Sequence, residues 1–272
     1  MTLVRKISAI ALAAALTSLP ALAADEKSAD EMAKELANPN NPNATLNFKY
    51  QYQEMKTGQA NQTIVFQPSM PFTLDNGDMM FFRPAIPLMV DLHTGIDSNG
   101  NWESETGLGD ISFDLMYGGA TKTGMIWGAG ALTSLPTGDK DLGMGETTAF
   151  GPEFIVAQLG KTSVLGVHSS HVWDVSGDID VSRTNTKVIA VYLPGGGYNI
   201  GTSPDIAYDH VADQWTIPVN LSVGKTVMLN DRAWKFSVGL NYYVEHDEEF
   251  GPDWMIEFTV GPVVENVMNN WF

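Results

Sequence analysis

The stretch His168-Ser169-Ser170-His171 combines two imidazoles with two hydroxyls, which are the side chains of metal sites and of nucleophilic catalysis. On a β-strand, residues three apart point to opposite faces, so the two histidines could not bind one metal ion. Catalysis would also need a base, a nucleophile and an orienting group on the same side. We therefore predict ordinary strand residues, and a Ser-His lipase-type site is the minor alternative.

Acidic side chains cluster in two predicted loops, at Asp174, Asp178 and Asp180 and at residues 246–249. Carboxylate oxygens suit calcium, but the spacing matches no known calcium loop. A solvated acidic rim is the default interpretation, and weak calcium binding stays a hypothesis. Pro194-Gly195-Gly196-Gly197 lacks the Lys-Ser/Thr of a phosphate-binding loop and predicts a turn. We predict no catalytic residue, no metal site, no cofactor and no enzymatic activity.

The elements that must position these residues are strands, because apolar and polar side chains alternate along most of the chain. In Trp215–Lys225, for example, Ile217, Val219, Leu221 and Val223 share one face. About twelve such segments occur between residues 45 and 264, an even number typical of outer-membrane barrels. They are 45–53, 63–72, 79–90, 108–117, 125–135, 147–158, 161–172, 186–193, 198–208, 215–225, 233–245 and 254–263.

The amino-terminal residues predict export. Arg5 and Lys6 precede an apolar run, and Ala21-Leu22-Ala23 has the form of a cleavage site, so residues 1–23 are interpreted as a signal peptide. Residues 24–44 form a lead-in with a short helix, which starts at a Ser28/Glu31 capping box and ends before Pro39. The lead-in is either a periplasmic tether, which we favour, or a plug in the mouth of a barrel.

The charge and composition exclude several classes of protein. The formal net charge is -17, and removal of residues 1–23 takes away two basic residues and no acidic one. A nucleic-acid partner is therefore not expected, because phosphates would be repelled. The chain has no cysteine, so it has no disulfide, no thiolate metal site and no cysteine nucleophile.

Alternation alone cannot tell a soluble barrel from a membrane barrel. Three observations favour the membrane: the signal peptide, strand lengths near the ~9 to 11 residues of a membrane-spanning strand, and aromatic residues at strand ends. The chain also alternates short connections with long ones, the longest at 91–107, 136–146 and 173–185. We predict an all-β fold, a closed antiparallel transmembrane β-barrel over residues 45–264, with residues 265–272 as a tail.

The polar faces of these strands should then line the lumen. The candidate lumen-lining residues carry charges of both signs or amide groups, and they are Lys49, Arg83, Asp114, Glu153, Asn220, Lys235, Asn241, Glu245 and Glu257. Pairing of opposite charges across the lumen is the simpler interpretation, because buried charges require partners. A role in selecting solutes is the alternative.

Several segments resemble one family in order and spacing. They include Phe66-Gln67-Pro68-Ser69-Met70-Pro71-Phe72, Gly107-Leu108-Gly109-Asp110-Ile111, Leu135-Pro136-Thr137-Gly138 and Trp215-Thr216-Ile217-Pro218. Together they are similar to the outer-membrane β-barrel transporter family linked to the meta-pathway of phenol degradation, also called neuromedin U-like transporters. The resemblance implies a barrel in the outer membrane that passes small, aromatic or hydrophobic compounds and is not catalytic.

The sequence thus predicts a passive channel in the cell outer membrane. Its expected partners are outer-membrane lipid, small-molecule solutes and the outer-membrane assembly machinery. A structural or ligand-binding envelope barrel with an occluded lumen is the second hypothesis, and a lipid-modifying enzyme is the third.

Overall fold

The computed structural model describes residues 27–248 and 251–266, so the predicted signal peptide and the end of the predicted tail lie outside the described residues. The described chain contains one α-helix, α1 (Ala29–Ala37), and fourteen strands. The strands are β1 (Ala44–Met55), β2 (Ala60–Thr73), β3 (Met79–Ile96), β4 (Trp102–Leu108), β5 (Ser112–Ala120), β6 (Met125–Ser134), β7 (Thr147–Leu159), β8 (Ser163–Gly177), β9 (Ser182–Gly195), β10 (Tyr198–Thr202), β11 (Asp205–Asp209), β12 (Gln214–Leu229), β13 (Arg232–Glu245) and β14 (Pro252–Val264).

The strands close on themselves. Sequential strands pair antiparallel, and the ring is completed by β1 with β14, for example Lys49 opposite Thr259. β4 and β5 share one position beside β3, and β10 and β11 share the position between β9 and β12. The barrel therefore has twelve strand positions. The predicted all-β, closed antiparallel barrel of about twelve strands with a short amino-terminal helix is confirmed.

The alternation of the sequence separates the two surfaces of this barrel. In β12, Val219 and Leu221 are each 61% exposed, while Pro218 and Thr226, on the opposite face of the same strand, are buried. In β7, Phe154 is exposed and the neighbouring Glu153 is buried. The exposed apolar face is the outside of the barrel and the polar face is the inside. This is the arrangement of a barrel surrounded by lipid, not of a soluble one.

The two ends of the barrel differ. At the turn end, strands are joined by tight turns such as 74–78 and 195–197. The three residues of the second turn are glycines, and all three have positive φ. The predicted turn at Pro194–Gly197 is thus observed. At the loop end, the β6–β7 loop (residues 135–146) is long and contains a short 3₁₀ turn, Lys140–Leu142.

Two of the predicted long loops are wrong in extent. Residues 91–107 and 173–185 consist mostly of strand, because β3 continues to Ile96, β4 begins at Trp102, β8 continues to Gly177 and β9 begins at Ser182. Beyond the apolar band both faces of a strand can be polar, so the hydrophobic alternation ends before the backbone ladder does. Within the described ranges, no helix has the length and apolar character needed to cross a membrane.

Helix α1 lies at the turn end, inside the barrel wall. Ser28 and Glu31 form the expected capping box, and Met32 packs with Ala233 of β13 and Val263 of β14, which belong to the inward faces of their strands. The Asp30 carboxylate accepts a hydrogen bond from the backbone N–H of Gly197. Hydrogen bonds from Ser28 lower the pKa of Glu31. The helix is therefore fixed to the barrel at two points, by the packing of Met32 and by the hydrogen bond of Asp30.

The orientation of the two faces predicts the cost of a charge on each. Leu221→Arg places a guanidinium on the outer apolar face and should lower the free energy of unfolding in lipid by about 2–4 kcal/mol. Gln53→Arg, on the inward face of β1, is the control and should cost much less. The measurement is urea unfolding of the refolded protein in vesicles; equal losses would contradict the assignment of the faces.

Candidate functional site

The structure places eight of the nine candidate residues on inward faces of their strands. They are Lys49, Arg83, Asp114, Glu153, Asn220, Lys235, Asn241 and Glu257. Glu245 differs, because it is the exposed last residue of β13 and pairs with Ile217 across a register shift. The role of this set in passing solutes stays a prediction.

One wall of the lumen carries paired charges from β3, β5, β7 and β8. The Arg83 Nε donates to both carboxylate oxygens of Asp114, at 2.8 and 3.0 Å. The Glu153 Oε2 lies 3.1 Å from the His168 Nε2. The other Glu153 oxygen, Oε1, is buried without a hydrogen-bond partner among the described residues. This wall therefore holds two carboxylates, one guanidinium and one imidazole.

The opposite wall, formed by β1, β13 and β14, carries Lys49, Lys235 and Glu257. The Gln51 Nε2 donates to the Glu257 Oε2 at 2.7 Å, and the Thr259 hydroxyl lies 3.4 Å from Oε1. Neither lysine forms a hydrogen bond or an ion pair with any described residue. Both lysines are partly exposed although they point inward, so they border open space.

Polar lumen residues connect these walls, and some of them were missed by the sequence analysis. The Lys187 Nζ of β9 lies 3.5 Å from the Asp205 Oδ2 of β11. The Asn220 amide donates to the Asn241 Oδ1 at 2.9 Å, and the Asn220 Oδ1 accepts from the Ser203 backbone N–H. Lys187, Asp205 and His168 have the same inward parity as the predicted set. Counting alternation from a neighbouring exposed apolar residue, such as Val188, would have identified them.

A layer of apolar side chains lines the lumen between the charged residues and the turn end. Met79, Phe81, Met116 and Ile155 form one buried cluster, with Ile189 packed against it. Three of them lie two positions from a charged residue on the same inward face: Phe81 precedes Arg83, Met116 follows Asp114, and Ile155 follows Glu153. On the other side, Met32 of α1 continues the layer through Ala233 and Val263.

The β6–β7 loop is anchored inside the loop end by two aspartates. The Asp110 Oδ1 accepts hydrogen bonds from the backbone N–H groups of Gly138 and Gly145, at 2.8 and 3.0 Å. The Asp139 Oδ2 accepts from the Leu108 N–H at 2.8 Å. Strands β4 and β5 are interrupted at residues 109–111, so these carboxylates take the place of a neighbouring strand in satisfying the backbone.

Glycines allow this loop to lie against the wall. A side chain at Gly107 would collide with Asp139 and approach Leu142, and one at Gly109 would meet Pro87, Met89 and Met144. The segments Gly107–Ile111 and Leu135–Gly138 are therefore in direct contact, although they are far apart in sequence. Both segments are among those that resemble the transporter family, and this packing explains why they occur together. The sequence analysis did not find this contact.

The two histidines of the opening motif separate as expected. His168 points into the lumen towards Glu153, while the His171 Nδ1 lies 2.7 Å from the Thr184 hydroxyl on the outer face. The His171 ring also contacts Trp173 and His210, and Tyr208 contacts Trp215 in the same outer group. Such rings are typical of the interface between lipid and water.

The acidic loops provide no metal centre in the described ranges, where no group of three His, Cys, Asp or Glu side chains could hold a metal ion. The Asp174 Oδ1 accepts a hydrogen bond from the Val181 N–H, which closes the β8–β9 hairpin. Glu249 of the second cluster lies outside the described residues. Weak calcium binding by these loops stays a hypothesis.

Comparison with known proteins supports the architecture. The fold is similar to the crystal structure of the COG4313 outer membrane channel from Pseudomonas putida F1, with a TM-score of 0.61, 12% identity, and coverage of 81% of this chain and 94% of that chain. It is also similar to the NanC porin, with a TM-score of 0.52, 10% identity, and coverage of 82% of this chain and 99% of that chain.

These likenesses define the class of protein, an outer-membrane-type β-barrel, by fold alone. No protein-family model matches the sequence, and no curated protein matches it either. The resemblance to the transporters of the meta-pathway of phenol degradation therefore stays an expectation based on the motifs quoted above.

The hydrogen bonds of Asp110 predict how the β6–β7 loop is held. Asp110→Ala removes the acceptor of two backbone N–H groups and should lower the free energy of unfolding by about 1–3 kcal/mol, with faster proteolysis within residues 135–146. Asp141→Ala, an exposed carboxylate in the same loop, is the matched control and should change neither. Unchanged proteolysis of the Asp110 variant would show that the loop is held by other contacts.

Proposed function

We propose that this protein is an outer-membrane channel for the passive passage of small solutes. The observation that carries the proposal is the inversion of the barrel: apolar side chains cover its outside, and charged and amide side chains line its inside. A polar interior gives a path for solutes through lipid where it is filled with water, as it is in porins. The fold is shared with proteins described as an outer membrane channel and a porin.

The ends of the barrel suggest its orientation. Tight turns are typical of the periplasmic side of such barrels, and longer connections of the outer side. The turn end with α1 would then face the periplasm, and the β6–β7 loop would narrow the outer entrance. This orientation also agrees with an amino terminus that follows a signal peptide.

The finer proposal concerns the solutes. Along the lumen, a charged layer is followed by the apolar layer around Phe81, Met116 and Met32. A sugar would gain little from the apolar layer, whereas an aromatic or other hydrophobic compound with one polar group could contact both. Small amphipathic, including aromatic, solutes are therefore the proposed substrates.

The alternative is a ligand-binding barrel with an occluded lumen. The observation in its favour is that α1 and the apolar clusters occupy opposite sides of the lumen at the same end. In this case the lead-in would be a plug, the second of the two roles considered for it. The loss of α1 should then convert a closed barrel into an open one.

Solute swelling of proteoliposomes distinguishes these functions. Refolded protein should admit an aromatic acid faster than a sugar of similar size, with an amino acid between them. A variant that lacks residues 24–43 should admit all three faster if α1 restricts the turn end. No swelling by the full-length protein, together with swelling by the truncated one, would favour the occluded barrel; no swelling by either would contradict the channel.

A further inference from the structure

Lys49 and Lys235 are two inward-facing cations that form no ion pair with any described side chain. Two other basic side chains of the lumen are matched, because Arg83 pairs with Asp114 and Lys187 with Asp205. The two lysines occupy neighbouring places across β14: Lys49 is opposite Thr259, and Lys235 is opposite Gly261 on the other side. Their ammonium groups lie within electrostatic range of each other.

The carboxylate on the strand between them is held by other groups, and Asp205, which is also within electrostatic range of Lys49, pairs with Lys187. Glu257, on β14, accepts from the Gln51 amide at 2.7 Å, and its second oxygen lies near the Thr259 hydroxyl. It lies within electrostatic range of both lysines but forms an ion pair with neither in the described chain. Two ammonium groups and one carboxylate leave a net positive charge at this wall.

The surroundings offer further polar contacts. The Thr259 side chain is nearly buried between Lys49 and Ser237. The Asn47 amide covers Gly261, where a side chain would collide with its oxygen. The Asn47 N–H groups already donate to Thr45 and Gln67, so the hydroxyls are the groups here that can donate to a carboxylate without adding charge.

An apolar cluster lies directly beside the pair, on the side of the turn end; Met32, Ala233 and Val263 are buried in it, and Leu36 is partly exposed. Ala233 precedes Lys235 by two residues on the inward face of β13, and Val263 follows Gly261 by two on β14. Met32 and Leu36 of α1 pack on these residues. A ligand held by the lysines would thus find aliphatic side chains next to its charged group.

From this arrangement we propose that Lys49 and Lys235 form a binding site for the carboxylate of a small organic monoanion, whose apolar part rests against the exposed side of Leu36. The proposal specifies the substrate class of the proposed channel, and so it rests on the proposed function. The bound carboxylate replaces the missing counter-charge of both lysines. A neutral analogue gains the apolar contact only.

The chemistry of the site separates it from a general counter-ion site. Chloride or phosphate could also neutralise the lysines, but neither has an apolar part to bury. An organic monoanion should therefore compete well with chloride at equal concentration. The opposite wall, with Glu153 and Asp114, provides no such excess of cations.

The test is a binding measurement that does not depend on transport. Benzoate is titrated into the refolded full-length mature protein in detergent by calorimetry, with benzamide as the neutral analogue and chloride as the inorganic competitor. We expect benzoate to bind, benzamide to bind at least about tenfold more weakly, and each of Lys49→Gln and Lys235→Gln to weaken benzoate binding about tenfold or more.

The controls keep this result specific. Lys225→Gln removes a lysine whose ammonium lies over the Tyr198 ring and bonds the Gly196 carbonyl, outside the site, and should leave binding unchanged. Lys49→Arg should retain most of the binding, because it keeps the charge, and it replaces Lys49→Gln if that variant does not fold. Folding of each variant is checked by heat-modifiable migration in gels.

The outcomes distinguish this site from the channel itself. Equal binding of benzoate by the wild type and the double Gln variant would overturn the site, as would equal affinity for benzamide or displacement by chloride at equal concentration. Swelling by neutral solutes without benzoate binding would leave the channel intact and remove the site. Benzoate binding without any swelling would retain the site and remove the channel.

Discussion

The ladder of backbone hydrogen bonds, closed between β1 and β14, is the constraint on which the rest of this molecule depends. Lipid offers no hydrogen-bonding partners, so a sheet that crosses it must have no free edge. Closure fixes the number of strand positions and gives each strand one inner and one outer face. Every assignment of a side chain to lumen or lipid follows from that geometry.

The same constraint explains the two places where the ladder is irregular. Between β4 and β5 the strand is interrupted, and the carboxylates of Asp110 and Asp139 bind backbone N–H groups of the interrupted wall and of the β6–β7 loop. Between β10 and β11 the Asn220 side chain accepts the Ser203 N–H. Side chains thus satisfy backbone groups where no strand can, because an unpaired polar group away from water is costly.

Inside the barrel, charge compensation is uneven. Arg83, His168 and Lys187 each contact a carboxylate directly, while Lys49 and Lys235 form no ion pair in the described part of the chain. A water-filled lumen tolerates such an imbalance better than a packed core would, and the partial exposure of both lysines is consistent with open space beside them. The apolar layer and α1 limit that space at the turn end. The charge of the lumen therefore differs from one wall to the other, and its polarity differs between the charged layer and the turn end.

The sequence by itself determined the alternation, the approximate number of strand positions, the capping box of α1 and the separation of His168 from His171, because each follows from local periodicity or spacing. It did not determine where β3, β8 and β9 end, since the hydrophobic signal ends at the edge of the apolar band. Only the tertiary structure decided which charges meet: Arg83 with Asp114, Glu153 with His168, and neither lysine with Glu257. It also brought Gly107–Ile111 against Leu135–Gly138 and placed Met32 on Ala233 and Val263. These contacts depend on strand register and on barrel closure, which join residues far apart along the chain, and local periodicity carries no information about either.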